Sequence, residues 1–188
     1  MKSPQLFMLL LGCKPKGRHT EQHDIFMGVG DDLSSLLPDI LQFWPGDHKI
    51  HIDAWRTVTE VDGFEISIQP RDDQESVSKT NQLYFLNLGG YREGEFDELH
   101  YRMLVVAPDK AAAIHRAKKT AFFQHTGFTG ANAHIDDTYG VDVDDIYLLE
   151  DILPPFVKEK YKICIRPMAD KAKDSWQLGY LKLSSLAK

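Results

Sequence analysis

One apolar stretch decides the fold of this chain because it occurs twice, as Leu6-Phe-Met-Leu-Leu-Leu-Gly12 and as Leu83-Tyr-Phe-Leu-Asn-Leu-Gly89. The copies are 77 positions apart, and the same shift continues without a gap until Leu37 meets Ile114. Nine of these 32 pairs are identical, whereas random pairing would give about two. The match indicates an internal duplication, and each short apolar run that stops at glycine predicts a buried strand.

Two shorter matches extend the repeat. His51-Ile-Asp53 falls on His134-Ile-Asp136 at a shift of 83, and Ile66–Pro70 resembles Ile163–Pro167 at a shift of 97. The matches predict a first repeat unit at 5–70, a polar linker at 71–81, a second repeat unit at 82–167 and a C-terminal extension at 168–188. A length of 188 residues suits one large domain or two small ones, and we expect one compact domain overall.

The sequence of each repeat unit predicts strands and a helix in the order β-β-α-β-β. The second strands, Asp24–Val29 and Tyr101–Ala107, return beside the first ones as hairpins, and third strands follow at 49–53 and 133–136. A further strand pair in 57–68 turns at Asp62-Gly63. The predicted fold class is therefore α+β, built from duplicated units with mostly antiparallel sheet and pseudo-twofold symmetry.

Local sequence signals predict where the helix of each unit begins and which of its faces is apolar. Asp32 and Asp109 occupy the N-cap position, where a carboxylate accepts hydrogen bonds from free backbone N–H groups. Pro38 removes a hydrogen-bond donor, so the first helix is expected to start late or to bend. The apolar helix faces are predicted at Leu33, Leu36, Leu37, Ile40 and Leu41 in the first unit, and at Ile114, Ala117, Ala121 and Phe122 in the second.

Composition excludes several classes of protein. With 43% hydrophobic and 27% charged residues, the chain is typical of a soluble globular protein and not of a disordered, collagenous or membrane protein. The 22 basic and 28 acidic residues give a net charge of −6, which argues against a nucleic-acid binder. The tail after Pro155 is basic, with eight Lys/Arg against three acids. We expect that tail to be solvated or neutralised, with docking on a partner as the alternative.

The N-terminus and the cysteines bear on location. Leu6–Leu11 followed by Gly12-Cys13 superficially resembles a lipoprotein cleavage site, but its twin lies in the middle of the chain. We therefore expect a strand there and expect residues 1–13 to remain in the mature protein. With only Cys13 and Cys164, no disulfide framework is predicted, which favours the cytoplasm.

Histidines paired with acids at repeat-equivalent positions are the candidate ligand-binding residues. On a strand, residues i and i+2 face the same side, so each pair presents an imidazole and a carboxylate together. If the strands are neighbours, each unit gathers two histidines and two acids. The candidates are Glu21, His23, His51 and Asp53 in the first unit, and Glu98, His100, His134 and Asp136 in the second.

Three interpretations of these residues stay open. The first is purely structural: His–carboxylate hydrogen bonds fasten the loops of both units. The second is a site for zinc or another divalent metal, and the third is an acid–base group in which the carboxylate orients the imidazole. No spacing such as His-Glu-x-x-His is present, so the sequence identifies neither a catalytic residue nor a metal or other cofactor.

Several strings of the chain resemble a known family. They lie at 6–24, at His51-Ile-Asp-Ala-Trp-Arg56, at Asn87-Leu-Gly-Gly-Tyr91 and at 134–145. They are similar to the bacterial family called domain of unknown function 1543, and the resemblance runs from about residue 5 to 167. It implies a small bacterial cytoplasmic protein that often carries two copies of the unit. It implies no activity, cofactor or site residue.

Two functional hypotheses follow. The first is a non-catalytic α+β protein that binds a small ligand or a protein partner in the groove between its halves, with a homodimer as one form of partnership. The second is a hydrolase that uses the His/carboxylate groups, with a metal or by acid–base chemistry. Whether the protein is an enzyme stays open at this stage.

Overall fold

The structure is a computed structural model that describes residues 3–44, 46, 49–71, 80–128, 131–132, 134–135, 145–168 and 174–187. Its described strands are β1 (Gln5–Cys13), β2 (Gln22–Gly30), β3 (His51–Thr57), β4 (Glu60–Val61), β5 (Phe64–Pro70), β6 (Gln82–Gly90), β7 (Leu99–Ala107), β8 (Gly127–Phe128), β9 (Ala131–Asn132), β10 (His134–Ile135), β11 (Ile146–Leu148), β12 (Tyr161–Pro167) and β13 (Gln177–Lys182). Its described helices are α1 (Leu37–Phe43), α2 (Lys110–Ala117), α3 (Ala121–His125), α4 (Leu149–Ile152) and α5 (Pro155–Lys160). All described strand pairs are antiparallel, so the α+β class with mostly antiparallel sheet is confirmed.

The chain divides into two compact units. The outer unit joins Met1–Asp73 to Leu153–Lys188, and the central unit is Gln74–Ile152. The predicted second repeat unit includes 153–167, whereas the fold places that segment with the outer unit. The repeat boundaries themselves stay a prediction, because compactness does not test a duplication, and most of the predicted linker lies outside the described residues.

The main sheet of the outer unit has the order β13-β3-β1-β2, with β1 as an inner strand. Leu9 and Leu11 alternate along β1 and pack against Leu36 and Ile40 from the helical segment. The C-terminal extension contributes β13 and the flanking side chains of Leu181, Leu183 and Leu186, which pack against the same core. The extension is therefore an integral part of this unit.

A smaller sheet of the outer unit has the order β12-β5-β4. Its hairpin turns at Asp62 and Gly63, whose φ angles of 57° and 80° lie in the left-handed region, as the Asp-Gly pair predicts. In the β5–β12 ladder, Ser67 lies opposite Cys164, and Ile66 opposite Ile165. Of the residue pairs that the predicted repeat makes equivalent here, Ser67 and Cys164 are direct partners in this ladder.

The first helical segment starts late, as Pro38 predicts. A 3-10 turn at Ser34–Leu36 precedes α1, and Pro38 lies in the first turn of α1, where its missing N–H costs no hydrogen bond. Asp32 accepts a hydrogen bond from Ser35 N at 3.0 Å. Its predicted N-cap role was wrong, because the N-cap residues are Leu33 for the 3-10 turn and Leu36 for α1. The assignment of Leu41 to the apolar face was wrong, because this side chain is 58% exposed.

In the central unit, Asp109 caps α2 and accepts a hydrogen bond from Ala112 N at 2.8 Å, which confirms its predicted role. The predicted apolar face was wrong at Ala121 and right at Phe122, which packs against the core although α2 already ends at Ala117. Thr120 caps a separate helix, α3, and Ala121 at the start of α3 is exposed. The expected continuous helix is therefore broken into two.

Strand β6 organises the central unit. It pairs with β7 along its length and with β10 and β11 on its other side. Leu86 and Leu88 of β6 belong to the core, together with Ala113 and Ala117 of α2. Within the described residues, no helix has the length and apolar character that crossing a membrane requires.

Candidate functional site

The candidate site of the outer unit lies around Gly12 on β1. In the antiparallel register, Gly12 is opposite His23 on β2 and opposite His51 on β3. Directly opposed residues project from the same face of a sheet, so both imidazoles rise on either side of Gly12. Leu11 and Cys13, the neighbours of Gly12, belong to the hydrophobic core. The site is therefore on the face of the sheet opposite that core.

The missing side chain of Gly12 provides the space for the site. A Cβ atom built on Gly12 would lie 2.5 Å from His51 Nε2 and 2.5 Å from Asp53 Oδ2. Real Cβ atoms essentially never show contacts this short, so a side chain at position 12 would force His51 and Asp53 to move. Sequence analysis interpreted this glycine as the end of a strand and did not detect its role in the site.

A β-bulge places Asp53. Leu10 is opposite Ala54 and Leu11 is opposite Ile52, so the ladder skips Asp53. An extra residue of this kind bends its strand and redirects its side chain. The Asp53 carboxylate lies 3.3 Å from His23 Nε2 through Oδ2 and 3.3 Å from His51 Nε2 through Oδ1.

Glu21 completes the group from the residue just before β2. Its Oε1 lies 3.2 Å from His51 Nε2, and its Oε2 lies 3.6 Å from His23 Nε2. Each carboxylate therefore contacts both imidazoles, and the four side chains form a closed cycle of nitrogen–oxygen contacts. The four candidates of the first repeat unit lie together as expected; we call them the His/acid cluster.

The His/acid cluster is buried at one end and open at the other. The side chain of His51 is only 5% exposed, whereas those of Asp53, His23 and Glu21 are 26%, 38% and 42% exposed. Among the described residues, neither His51 Nε2 nor Asp53 Oδ2 forms a hydrogen bond, despite contacts at hydrogen-bond distance. Distance alone does not make a hydrogen bond, because the donor hydrogen must also point at the acceptor.

Tyr180 of β13 also belongs to the site, and sequence analysis missed it. Its ring centroid lies 4.3 Å from that of His51, with an angle of 31° between the rings. The two residues are far apart in the chain, and Tyr180 lies in the extension outside the repeat. Only the pairing of β13 with β3 brings them together.

The candidates of the second repeat unit are described only in part. Tyr91 donates a 2.7 Å hydrogen bond to Glu98, and Asn87 Nδ2 lies 3.3 Å from His100 Nδ1. The backbone of His134 lies opposite Gly89. Asp136 and the position of the His134 side chain lie outside what the structure describes. Convergence of this second group stays a prediction.

Two other features of the outer unit involve residues outside the cluster. Burial raises the pKa of the Cys13 thiol, and the Glu21 carboxylate raises it further. A cavity of about 640 Å³ lies between the start of β1 and the face of β5, lined in part by Gln5, Thr59 and Glu65. None of the cluster residues lines it. In the described part of the chain, no group of three or more His, Cys, Asp or Glu side chains is arranged so that it could hold a metal ion, and this includes the His/acid cluster as it stands.

The fold and the site together define an α+β protein of antiparallel sheets with two histidines and two acids over a glycine. Residues 18–68 match the family described as Domain of Unknown Function (DUF1543), which confirms the predicted family for this part of the chain. The matched segment contains all four residues of the His/acid cluster, but neither Gly12 nor Tyr180.

One similar solved structure is that of a protein Il1583 from Idiomarina loihiensis. It shares 23% sequence identity with a TM-score of 0.53, and the alignment covers 96% of this chain and 97% of that one. At this identity the likeness concerns the fold alone. No curated protein matches this chain.

Proposed function

We propose that this protein is a non-catalytic ligand-binding protein whose outer unit binds a divalent transition metal at the His/acid cluster. The observation that carries the proposal is the buried His51 Nε2, which lies 3.2–3.3 Å from two carboxylate oxygens without a hydrogen bond. A polar atom buried without a partner is costly. A metal ion that accepts its lone pair removes that cost.

The spacing of the donor atoms supports a metal. In a tetrahedral zinc site with bonds of about 2.0–2.1 Å, neighbouring donor atoms are separated by about 3.3–3.4 Å. The four nitrogen–oxygen contacts of the cluster measure 3.2, 3.3, 3.3 and 3.6 Å. These contacts use both oxygens of each carboxylate, and the described side chains form no group that could hold a metal ion as they stand. Metal binding therefore requires Glu21 and Asp53 each to turn one oxygen toward a common centre with the two Nε2 atoms.

The donor set favours binding over catalysis. Two imidazoles and two carboxylates fill the four positions of a tetrahedral metal, and a closed sphere leaves no position for a reactive water. Imidazole and carboxylate together suit zinc and its neighbours in the first transition row. The ligand is therefore a divalent transition metal ion, held by Glu21, His23, His51 and Asp53.

The test is a Co²⁺ titration of untagged protein that has been dialysed against a chelator. We expect the visible absorption of tetrahedral Co²⁺ and competition by Zn²⁺. His23→Ala should weaken binding by at least about tenfold, because it removes one donor of the sphere. His115→Ala changes an exposed histidine of α2 in the central unit and serves as the matched control. Binding that is unchanged by His23→Ala would contradict the proposal.

A hydrolase is the second candidate, and the exposure of Glu21 favours it. Glu21 precedes β2, is the most exposed member of the cluster and has the longest contact, 3.6 Å to His23. If Glu21 is not a ligand, three donors remain and the fourth position takes water, as in catalytic zinc sites. Glu21→Gln separates the two candidates: weakened metal binding supports the closed site, and full affinity with lost hydrolysis of p-nitrophenyl acetate supports the hydrolase.

We also infer that the two repeat units arose by duplication with pseudo-twofold symmetry. Two registers support this. Gly12 faces His23 and His51, while Gly89 faces His100 and His134. The second group would then supply a second metal site, which His100→Ala tests as the loss of a second bound equivalent of Co²⁺. A homodimer or a protein partner, a cytoplasmic location and a bacterial source stay predictions.

A further inference from the structure

The cavity of about 640 Å³ in the outer unit is large enough to hold a small molecule. Its volume lies within the range of about 300–1,000 Å³ that is typical of small-molecule sites. The start of β1 in the main sheet and the strand β5 in the smaller sheet both line it. The cavity is therefore formed where these two sheets of the unit meet.

Hydrogen bonds fix the walls of this cavity. Val58, which lies between β3 and β4, donates from its N–H to Leu6 O at 2.8 Å, and Ile66 of β5 donates to Thr59 O at 3.0 Å. The Asp174 carboxylate accepts hydrogen bonds from Thr59 N at 2.8 Å and from Thr59 Oγ1 at 2.7 Å. One wall is thus tied to both sheets and to the C-terminal extension. A cavity with fixed walls loses little conformational entropy when a ligand enters.

The charged side chains that line the cavity are acidic. Asp31 is exposed just after β2, and Glu65 of β5 is half-buried. Among the described lining residues there is no Lys, Arg or His. Arg166 lies opposite Glu65 in the β5–β12 ladder, but within the described part of the chain no ion pair joins their side chains. An ionised carboxylate can only accept hydrogen bonds, so both acids are suited to a ligand that carries positive charge.

The uncharged part of the lining suits the rest of such a ligand. Leu6, Val58 and Ile66 contribute aliphatic carbon to the cavity, and Gln5 and Gln69 contribute amide groups. An alkylammonium group has three hydrogen-bond donors and no acceptor. Amide oxygens can accept the hydrogens that a carboxylate leaves free, while an alkyl chain contacts the aliphatic side chains.

We propose that this cavity binds an aliphatic diamine or polyamine, with one ammonium group at Asp31 and another at Glu65. Hydrogen bonds between ions of opposite charge are stronger than those between neutral groups, so the two carboxylates fix the orientation of the ligand. None of the residues of the His/acid cluster lines the cavity. The proposal therefore requires no metal and goes beyond the function proposed above.

The experiment is isothermal titration calorimetry of the whole chain with hexamethylenediamine, hexylamine and hexanediol at low ionic strength. These probes have the same alkyl chain and differ in charge. We expect saturable binding of the diamine and about tenfold weaker binding of the monoamine, because it makes one charge-assisted contact fewer. We expect no detectable binding of the diol.

Three carboxylate variants locate the binding. Glu65→Gln should weaken the diamine about tenfold, and Asp31→Asn about threefold, because solvent screens an exposed charge more strongly. Both changes keep the shape of the side chain and remove its charge. Glu159→Gln removes an exposed carboxylate of α5 in the same unit and is the matched control. It should leave the affinity unchanged.

A fourth variant, Ser67→Phe, fills the cavity from β5 without changing its charge and should abolish binding; if it does not fold, the carboxylate variants carry the test. Wild-type protein that shows no saturable binding of the diamine overturns the proposal. Equal binding of diamine and diol also overturns it, as does equal weakening by Glu159→Gln and Glu65→Gln. His23→Ala, which tests the metal site, should leave the affinity for the diamine unchanged, so the two proposals can fail separately.

Discussion

Gly12→Ala is the most informative single change in this protein because it places one methyl group into the centre of the His/acid cluster. The new Cβ would lie 2.5 Å from both His51 Nε2 and Asp53 Oδ2. An ordinary contact needs about 3.4 Å, so each atom must retreat by about 0.9 Å. The backbone itself accepts alanine, since Gly12 lies in a regular strand and is not among the residues of positive φ.

That displacement should lower both the free energy of unfolding and the affinity for Co²⁺. Overpacking of this kind costs about 1–3 kcal/mol of the free energy of unfolding, and the burial of His51 leaves this ring little room to move. Metal–ligand distances tolerate only about ±0.2 Å, so a shift of about 0.9 Å should remove at least two ligands from the metal. We expect Co²⁺ affinity to fall by at least about 100-fold, beyond the 10- to 100-fold cost of outer-shell changes.

The assay is a Co²⁺ titration at a temperature where circular dichroism shows each variant folded, with urea unfolding alongside. Gly28→Ala on β2 is the matched control, because its Cβ would lie 2.6 Å from Phe26 Cε1 and 3.0 Å from Leu36 Cδ2. It crowds the core of the same unit and not the cluster. We expect it to lower stability without changing the affinity for Co²⁺. A folded Gly12→Ala protein that binds Co²⁺ as tightly as the wild type would refute the reasoning.

Two further predictions concern the outer unit. Asp174→Ala removes the acceptor of the hydrogen bonds from Thr59 and Glu60, so urea unfolding should show a loss of about 1–3 kcal/mol; an unchanged midpoint would mean that the extension is held without this carboxylate. Because burial and Glu21 raise the pKa of Cys13, its thiolate is scarce at pH 8, and alkylation in the native protein should be slower at Cys13 than at the partly exposed Cys164. Peptide mapping by mass spectrometry measures both rates, and equal rates would contradict the prediction.

Local sequence signals correctly predicted those strands and helix ends that a short apolar run or a single residue determines. The apolar runs at Leu6–Leu11 and Leu83–Leu88 lie within β1 and β6, because continuous apolar stretches of this length are stable only when buried. Pro38 delays its helix, and Asp109 caps its own. The break between α2 and α3 was not predicted. The apolar residues keep a helical period across it, whereas Thr120 caps a new helix there.

The sequence predicted which residues belong to the candidate site of the outer unit but not how they are arranged. The spacing of Glu21 with His23 and of His51 with Asp53 indicated residues that share a face. Their convergence depends on β2 and β3 flanking the same strand, and on a bulge that redirects Asp53. Strand order and bulges result from long-range pairing, which no local pattern encodes.

The sequence by itself therefore determined the first hairpin of each unit, the Asp62-Gly63 turn and the four His and acid side chains, since each depends on side-chain chemistry and local periodicity. Only the tertiary structure decided that Gly12 leaves the space they occupy and that Tyr180 covers His51. Those two contacts join residues distant in the chain. Their physical basis is the register of antiparallel strands, which brings β1, β2, β3 and β13 side by side at one level of the sheet.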